Sequence, residues 1–207
     1  MTLKQPALAE VFSRERGLAF SSFAQPRRLL LSAPSSRAYL GRLDTAQRAV
    51  QARVRAAILC STKATADTPE AKRARDIMAA KAEREGPGAI AAELVPKLLA
   101  RVTLERQPAV VREVTTMIER QPVYGMIVTL RALRDRPDST PLLGQIRIPI
   151  LVVAGDDDQI APAEGMEEMA RAIPGAQFTV IPGSGHLSPL EQPQLVNDAV
   201  NAFLAQL

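Results

Sequence analysis

Tryptophan is absent from this chain of 207 residues, and Phe, Trp and Tyr together supply 3% of it. Binding of single-stranded nucleic acid uses basic residues interleaved with stacking aromatics, so nucleic acid is not an expected partner. Cysteine occurs once, as Cys60. That excludes an internal disulfide framework and a Cys-rich zinc site, and makes the cytoplasm the expected compartment. No stretch approaches the ~18 uninterrupted apolar residues of a membrane span, so no membrane partner is expected. Histidine also occurs once, as His186. Metal sites built from several histidines are thereby ruled out, and any mechanism that needs an imidazole must use this one. An unperturbed imidazole titrates near pH ~6.5, where it can take and return a proton.

What is present suits a globular protein. Hydrophobic residues make up 46% of the chain and charged ones 23%, enough apolar material for a core. The length fits one domain, or one domain with an inserted lobe. The net charge of +4 is unevenly placed: residues 1–55 hold ten Lys and Arg against three acidic residues, and the remainder is slightly acidic.

The C-terminal third is the most legible. Ile148-Pro149-Ile150-Leu151-Val152-Val153-Ala154-Gly155 is a short apolar run ending at glycine, the pattern of a strand buried on both faces of a parallel sheet. A polar loop follows, then a helix over 164–173 with Met166, Met169, Ala170 and Ile173 on one face. Pro174-Gly175 stops it, and 177–181 forms the next strand. The histidine follows in Pro182-Gly183-Ser184-Gly185-His186, and 194–207 gives a last helix burying Leu195, Val196, Ala199, Val200, Phe203 and Leu204. Alternating strand and helix make this a parallel α/β unit. Another strand is expected over 54–62. The stretch between reads as helices: Asp67 or Thr68 caps one that runs from Pro69 to about Glu85, and 89–100, 107–120 and 123–134 carry three more. Within 1–50, the run Arg27-Arg28-Leu29-Leu30-Leu31 suggests a strand and 45–53 a helix.

In this order the features resemble the C-terminal part of the α/β-hydrolase family, most of all the small cofactor-free hydrolases of the 3-oxoadipate enol-lactonase and esterase type. The likeness covers about residues 52–207. It rests on the strand over 54–62, the helical stretch, Gly155-x-x-Asp158-x-x-x-Pro162, then Gly183-x-Gly185-His186 and Glu191-x-Pro193. The resemblance implies a parallel-sheet α/β core, incomplete at the N-terminus and built from 51–62 and 142–207, with a helical cap over 63–141 and an atypical segment over 1–50. It further implies a serine hydrolase of small esters or lactones, with no metal or organic cofactor. His186 would be the base and Asp158 the acid of a triad ordered nucleophile, acid, histidine. Asp156 and Asp157 would be solvated loop residues. Glu191 would cap the last helix or tie down the histidine loop, and Cys60 would be a small core residue. Met117, Met126 and Ile127 pack the cap and are candidates for lining a substrate pocket.

The family's G-x-S-x-G serine falls, by position, on Ser35 or Ser36 within Ala33-Pro34-Ser35-Ser36-Arg37-Ala38-Tyr39. Ser35 is the better match when Tyr39-Leu40 is aligned with the start of the following helix. The flanking glycines that such a sharp turn requires are not there, and no His-Gly oxyanion loop precedes Ser35. Three origins of segment 1–50 stay open: an altered or frame-displaced front of a truncated hydrolase gene, a targeting peptide (against which Glu10 and Glu15 argue), or a divergent front half that works. Two functions stay open with them. One is a hydrolase using Ser35, His186 and Asp158. The other is a non-catalytic remnant that binds a small apolar ligand, or pairs with a second copy across an open sheet edge.

Overall fold

The computed structural model describes residues 30–32 and 54–207. The expected helix over 45–53 and both Ser35 and Ser36 lie outside them. Among the described residues a four-stranded sheet runs in the order β1 (Leu30–Ser32), β2 (Ala57–Cys60), β3 (Ile150–Gly155), β4 (Gln177–Ile181), every pair parallel. β1 registers Leu31 against Ile58, and β3 registers Val153 against both Cys60 and Thr179.

All six residues of β3 are buried, as a strand covered on both faces requires. Successive side chains point to opposite faces, so Val152 joins one core and Val153 the other. On the first face Leu59, Ile150, Val152 and Ala154 pack on Met166, Met169 and Ala170 of helix α6 (Ala163–Arg171) and on Ile173 just beyond it. On the second, Ile58, Leu151, Val153 and Ile181 meet Val196, Val200 and Phe203 of helix α8 (Pro193–Leu204). Full burial of such side chains is worth about 1.5–3 kcal/mol each. Leu195, expected on the buried side, is exposed instead. The sheet-facing positions of α8 are 196, 200 and 203, and Leu195 sits about 100° around the helix from Val196.

Between β2 and β3 the chain forms α1 (Pro69–Glu85), α2 (Pro87–Leu98), α3 (Arg101–Arg106), α4 (Pro108–Glu119) and α5 (Val123–Arg134), then a 3₁₀ segment, Thr140–Gln145. Thr68, not Asp67, caps α1, its hydroxyl accepting the Ala71 amide at 3.2 Å. Gly86, at φ 79°, ends α1, a conformation that favours glycine. The short helix α3 was not expected, since Arg101-Val-Thr-Leu-Glu-Arg shows no sustained apolar period; it ends at Gln107, which also opens α4.

This helical lobe has its own small core of Val95, Leu99 and Val114. Leu187 and Leu190, from the loop and short helix α7 (Ser188–Glu191) after β4, pack against it. The lobe is therefore seated on the carboxyl edge of the sheet, where open parallel α/β sheets bind ligands. No described helix is long and apolar enough to cross a membrane.

Candidate active site

Two neighbouring strands deliver the two side chains singled out in the sequence. Asp158 lies three residues past the end of β3 and His186 five past β4, and backbone bonds stitch the two loops together. The Asp156 amide donates to the Ile181 carbonyl (3.2 Å) and the Asp157 amide to the Ser184 carbonyl (3.0 Å). Asp156 Oδ1 accepts the Ser184 amide at 3.1 Å. Gly155 fits because nothing larger could: a Cβ there would run into the carbonyl oxygens of Ser184 and Gly185. Gly183, at φ 65°, makes the turn that precedes them.

The result is a close pair. His186 Nδ1 stands 2.9 Å from Asp158 Oδ2 and 3.1 Å from Oδ1. The side chains are 3% and 0% exposed, so solvent does not compete for the bond. Asp158 Oδ1 also accepts the amides of Ile160 and Ala161, both at 2.8 Å. Burial by itself would raise this carboxyl's pKa. The His186 hydrogen bond and charge, with the two amides, outweigh it and leave the group below the ordinary aspartate range. An ionised carboxylate only accepts, so Nδ1 carries the proton and Nε2 is left as an acceptor. That tautomer can take a proton from a hydroxyl.

A third acid holds the histidine loop. Glu191 is 2% exposed, yet both its oxygens are engaged by main-chain amides. Oε1 accepts Gly185 (2.8 Å) and Leu187 (3.3 Å), and Oε2 accepts Ala100 of the lobe (2.7 Å). Tying down the loop is thus its observed part. Two further bonds join the same stretch of the lobe to the site: the His186 amide donates to the Leu98 carbonyl (2.8 Å), and the Arg101 amide to Asp157 Oδ2 (2.8 Å). Asp156 and Asp157 are exposed, as expected of loop residues, but each accepts a main-chain amide.

Gly185 faces the tightest approach. A Cβ there would lie 2.7–2.9 Å from Ala100 N, Leu98 O and Leu99 C, all backbone atoms with little room to yield. Gly185→Ala is therefore expected to cost about 1–3 kcal/mol, read as a lower urea midpoint at unchanged m-value. An unshifted midpoint would mean that the lobe is not seated this closely.

His186 lines a mostly apolar cavity of about 450 Å³ between the sheet edge and helices α1, α2, α4 and α5. Of the expected pocket candidates, Met117 and Met126 line it and Ile127 does not. Cys60 is half-buried at the end of β2, and its thiol pKa is pushed up to about 11, chiefly by burial, which makes it a poor nucleophile. Sequence reasoning missed the charged wall of the cavity. Lys63, Arg75 and Arg136 line it, and Asp67 bonds both arginines, accepting Arg75 Nε at 3.1 Å and an Arg136 Nη at 2.7 Å. The available signal was Lys63, three residues beyond a strand that ends at the same edge as Asp158. Among the described residues no group of three or more His, Cys, Asp or Glu side chains could hold a metal.

Residues 10–199 match the family described as the alpha/beta hydrolase family. Among solved structures, a thermophilic esterase from Thermogutta terrifontis is 39% identical at a TM-score of 0.78, over 86% of this chain and 64% of that one. An enol-lactonase from Burkholderia xenovorans is 26% identical at a TM-score of 0.73, over 85% and 65%. A pimeloyl-[acyl-carrier protein] methyl ester esterase from Xanthomonas oryzae is 36% identical over 76 residues, 37% of this chain and 30% of that protein. The chain thus spans just under two thirds of these two solved relatives, and the match to the curated esterase covers less than a third of it.

Proposed function

Because the chain belongs to the α/β-hydrolase family, we propose that it hydrolyses small carboxylic esters or lactones, with His186 as general base and Asp158 as the acid that orients it. The observation that carries this is the buried Nδ1–carboxylate bond of 2.9 Å beside an apolar cavity. Likeness to an esterase and an enol-lactonase supports the substrate class. Ser35 is the proposed nucleophile, on the family pattern alone.

In this mechanism the Ser35 hydroxyl loses its proton to His186 Nε2 as its oxygen attacks the ester carbonyl carbon. The tetrahedral adduct collapses, the C–O bond to the leaving group breaks, and the imidazolium returns the proton to the departing alkoxide. Water then enters and gives a proton to the same nitrogen as its oxygen attacks the acyl carbon. The bond to the Ser35 oxygen breaks, the imidazolium returns the proton to that oxygen, and the free acid departs. Asp158 stays ionised throughout and stabilises the imidazolium.

Labelling with a fluorophosphonate probe tests the assignment. The wild-type chain is expected to be labelled, and both Ser35→Ala and His186→Ala to lose the label. A folded, monodisperse wild-type chain that takes no label and turns over no short-chain ester would leave the non-catalytic binding module as the function.

A further inference from the structure

β4 bounds the sheet on one side, and among the described residues no strand pairs with its outer edge. Such an edge is a template for another strand, and folded proteins normally guard it with a charge, a proline or a bulge. Gln177-Phe178-Thr179-Val180-Ile181 has no charge and no proline, and it pairs with β3 one for one without a bulge. Val180 is 40% exposed, although it points to the same face as Phe178, which packs on the core beneath α6.

The strand is its own complement. Laid antiparallel against a second copy about an axis through Thr179, Phe178 falls opposite Val180 of that copy, and Thr179 opposite its twin. Aromatic–β-branched and Thr–Thr pairs are among the favourable cross-strand neighbours. The flanking helices fit the same axis. Each spans two strands, α6 packing on Val152 and Phe178 and α8 on Val153 and Ile181. In the doubled sheet like helices would stand two strand spacings apart, about 10 Å, which is helix-packing distance.

The helix flanks that would meet are complementary too. Gly165, Glu168 and Ala172 share a cavity with Thr62 and Thr65 just beyond β2. The opposite flank of α6, with the ion pair Glu167–Arg171, therefore faces the open edge. Thr179 lies ~7 Å along β4 from Gln177, and the same distance back from Ile173 along α6 falls midway between Glu167 and Arg171. Glu167 of each copy thus comes opposite Arg171 of the other. On the second face Gln206 bonds Gln177 of β4 at 2.8 Å, which marks the edge-facing flank of α8. Leu195, Ala199 and Ala202 share that flank, which accounts for the exposure of Leu195 and permits a close approach.

We propose that two copies of this chain join edge to edge through β4 into one continuous sheet, about a two-fold axis through Thr179. The antiparallel arrangement sends the two helical lobes to opposite ends, so both cavities stay open. The assembly is independent of the reaction assigned to His186.

Sedimentation velocity of the full chain at micromolar concentration is expected to give a dimer. Val180→Lys, at an exposed position, is expected to fold, which circular dichroism checks. It should raise the dimer Kd about 100-fold, because the two-fold axis counts the substitution twice. Thr179→Cys supplies a positive test. Facing residues of antiparallel strands have Cα atoms about 4.5–5.5 Å apart, within disulfide reach. With oxidised glutathione, Thr179→Cys should yield a covalent dimer on a non-reducing gel. Val180→Cys, offset along the strand from its own twin, should not. A wild-type monomer would overturn the proposal and leave the edge to another strand or to water. So would a dimer that Val180→Lys leaves intact, or one in which Thr179→Cys links no better than Val180→Cys.

Discussion

His186→Gln is expected to lower kcat for a short-chain ester by about 10⁴-fold with KM changed only a few-fold, because it removes a group that acts in the transition state. Glutamine fills most of the space but offers no atom that can both accept a proton from a hydroxyl and carry it. Asp158→Asn should do nearly as much, about 10³–10⁴-fold, through the tautomer. The amides of Ile160 and Ala161 both donate to Oδ1, at 2.8 Å, and would hold the asparagine oxygen there. Its NH₂ group would then face His186 Nδ1, which must accept, so the ring proton moves to Nε2 and the base is lost. Stopped-assay kinetics on both variants, with folding checked by circular dichroism, decide the matter. A His186→Gln variant that keeps a tenth of the wild-type kcat would remove the imidazole from the mechanism.

The second large effect concerns stability. Glu191→Ala is expected to cost about 3–5 kcal/mol, a sizeable part of the 5–15 kcal/mol that typically holds a domain folded. Its carboxylate accepts three main-chain amides, from Gly185, Leu187 and Ala100, and none of these would find another acceptor in so buried a place. Glu191→Gln should cost about 2–3 kcal/mol, since its NH₂ would point at an amide N–H on one side or the other. Urea denaturation measures both. The Ala variant should also expose the 183–191 segment to limited proteolysis before the sheet unfolds. Equal midpoints for wild type and both variants would show that Glu191 bears no such load.

The alternation of apolar runs and helical periods in the C-terminal third predicted β4 over 177–181 to the residue, and the observed strand is Gln177–Ile181. It placed Asp158 and His186 on adjacent loops at one sheet edge, because parallel neighbours leave no other arrangement. The expected strand over 54–62 shortened to Ala57–Cys60, since pairing with β3 ends where the chain turns at Ser61. Helix α3 and the 3₁₀ segment had no periodic signal, being defined by what they pack against. The cavity's charged wall was illegible for a related reason. Lys63, Arg75 and Arg136 are far apart in sequence and read singly as surface charges, and only folding brings them to one wall with Asp67 between two of them. Ser35 could be proposed from position alone and lies outside the described residues.

The seam between lobe and sheet edge is asymmetric in what it specifies. Residues 98–101 meet the site through main-chain groups, the Leu98 carbonyl and the Ala100 and Arg101 amides. The two amides donate to side chains of the sheet side, Glu191 and Asp157, and the carbonyl accepts the His186 main-chain amide. Leu99 and Ala100, each 0% exposed, limit only the size of what fits there. At this stretch the core therefore checks the path of the visiting backbone, while Leu187 and Leu190 still ask for apolar side chains from the lobe. A foreign helical insert that traces the same path could be grafted in place of 63–141, so this core is a host for chimeras in which the walls around the imidazole are exchanged while the Asp158–His186 pair itself is kept.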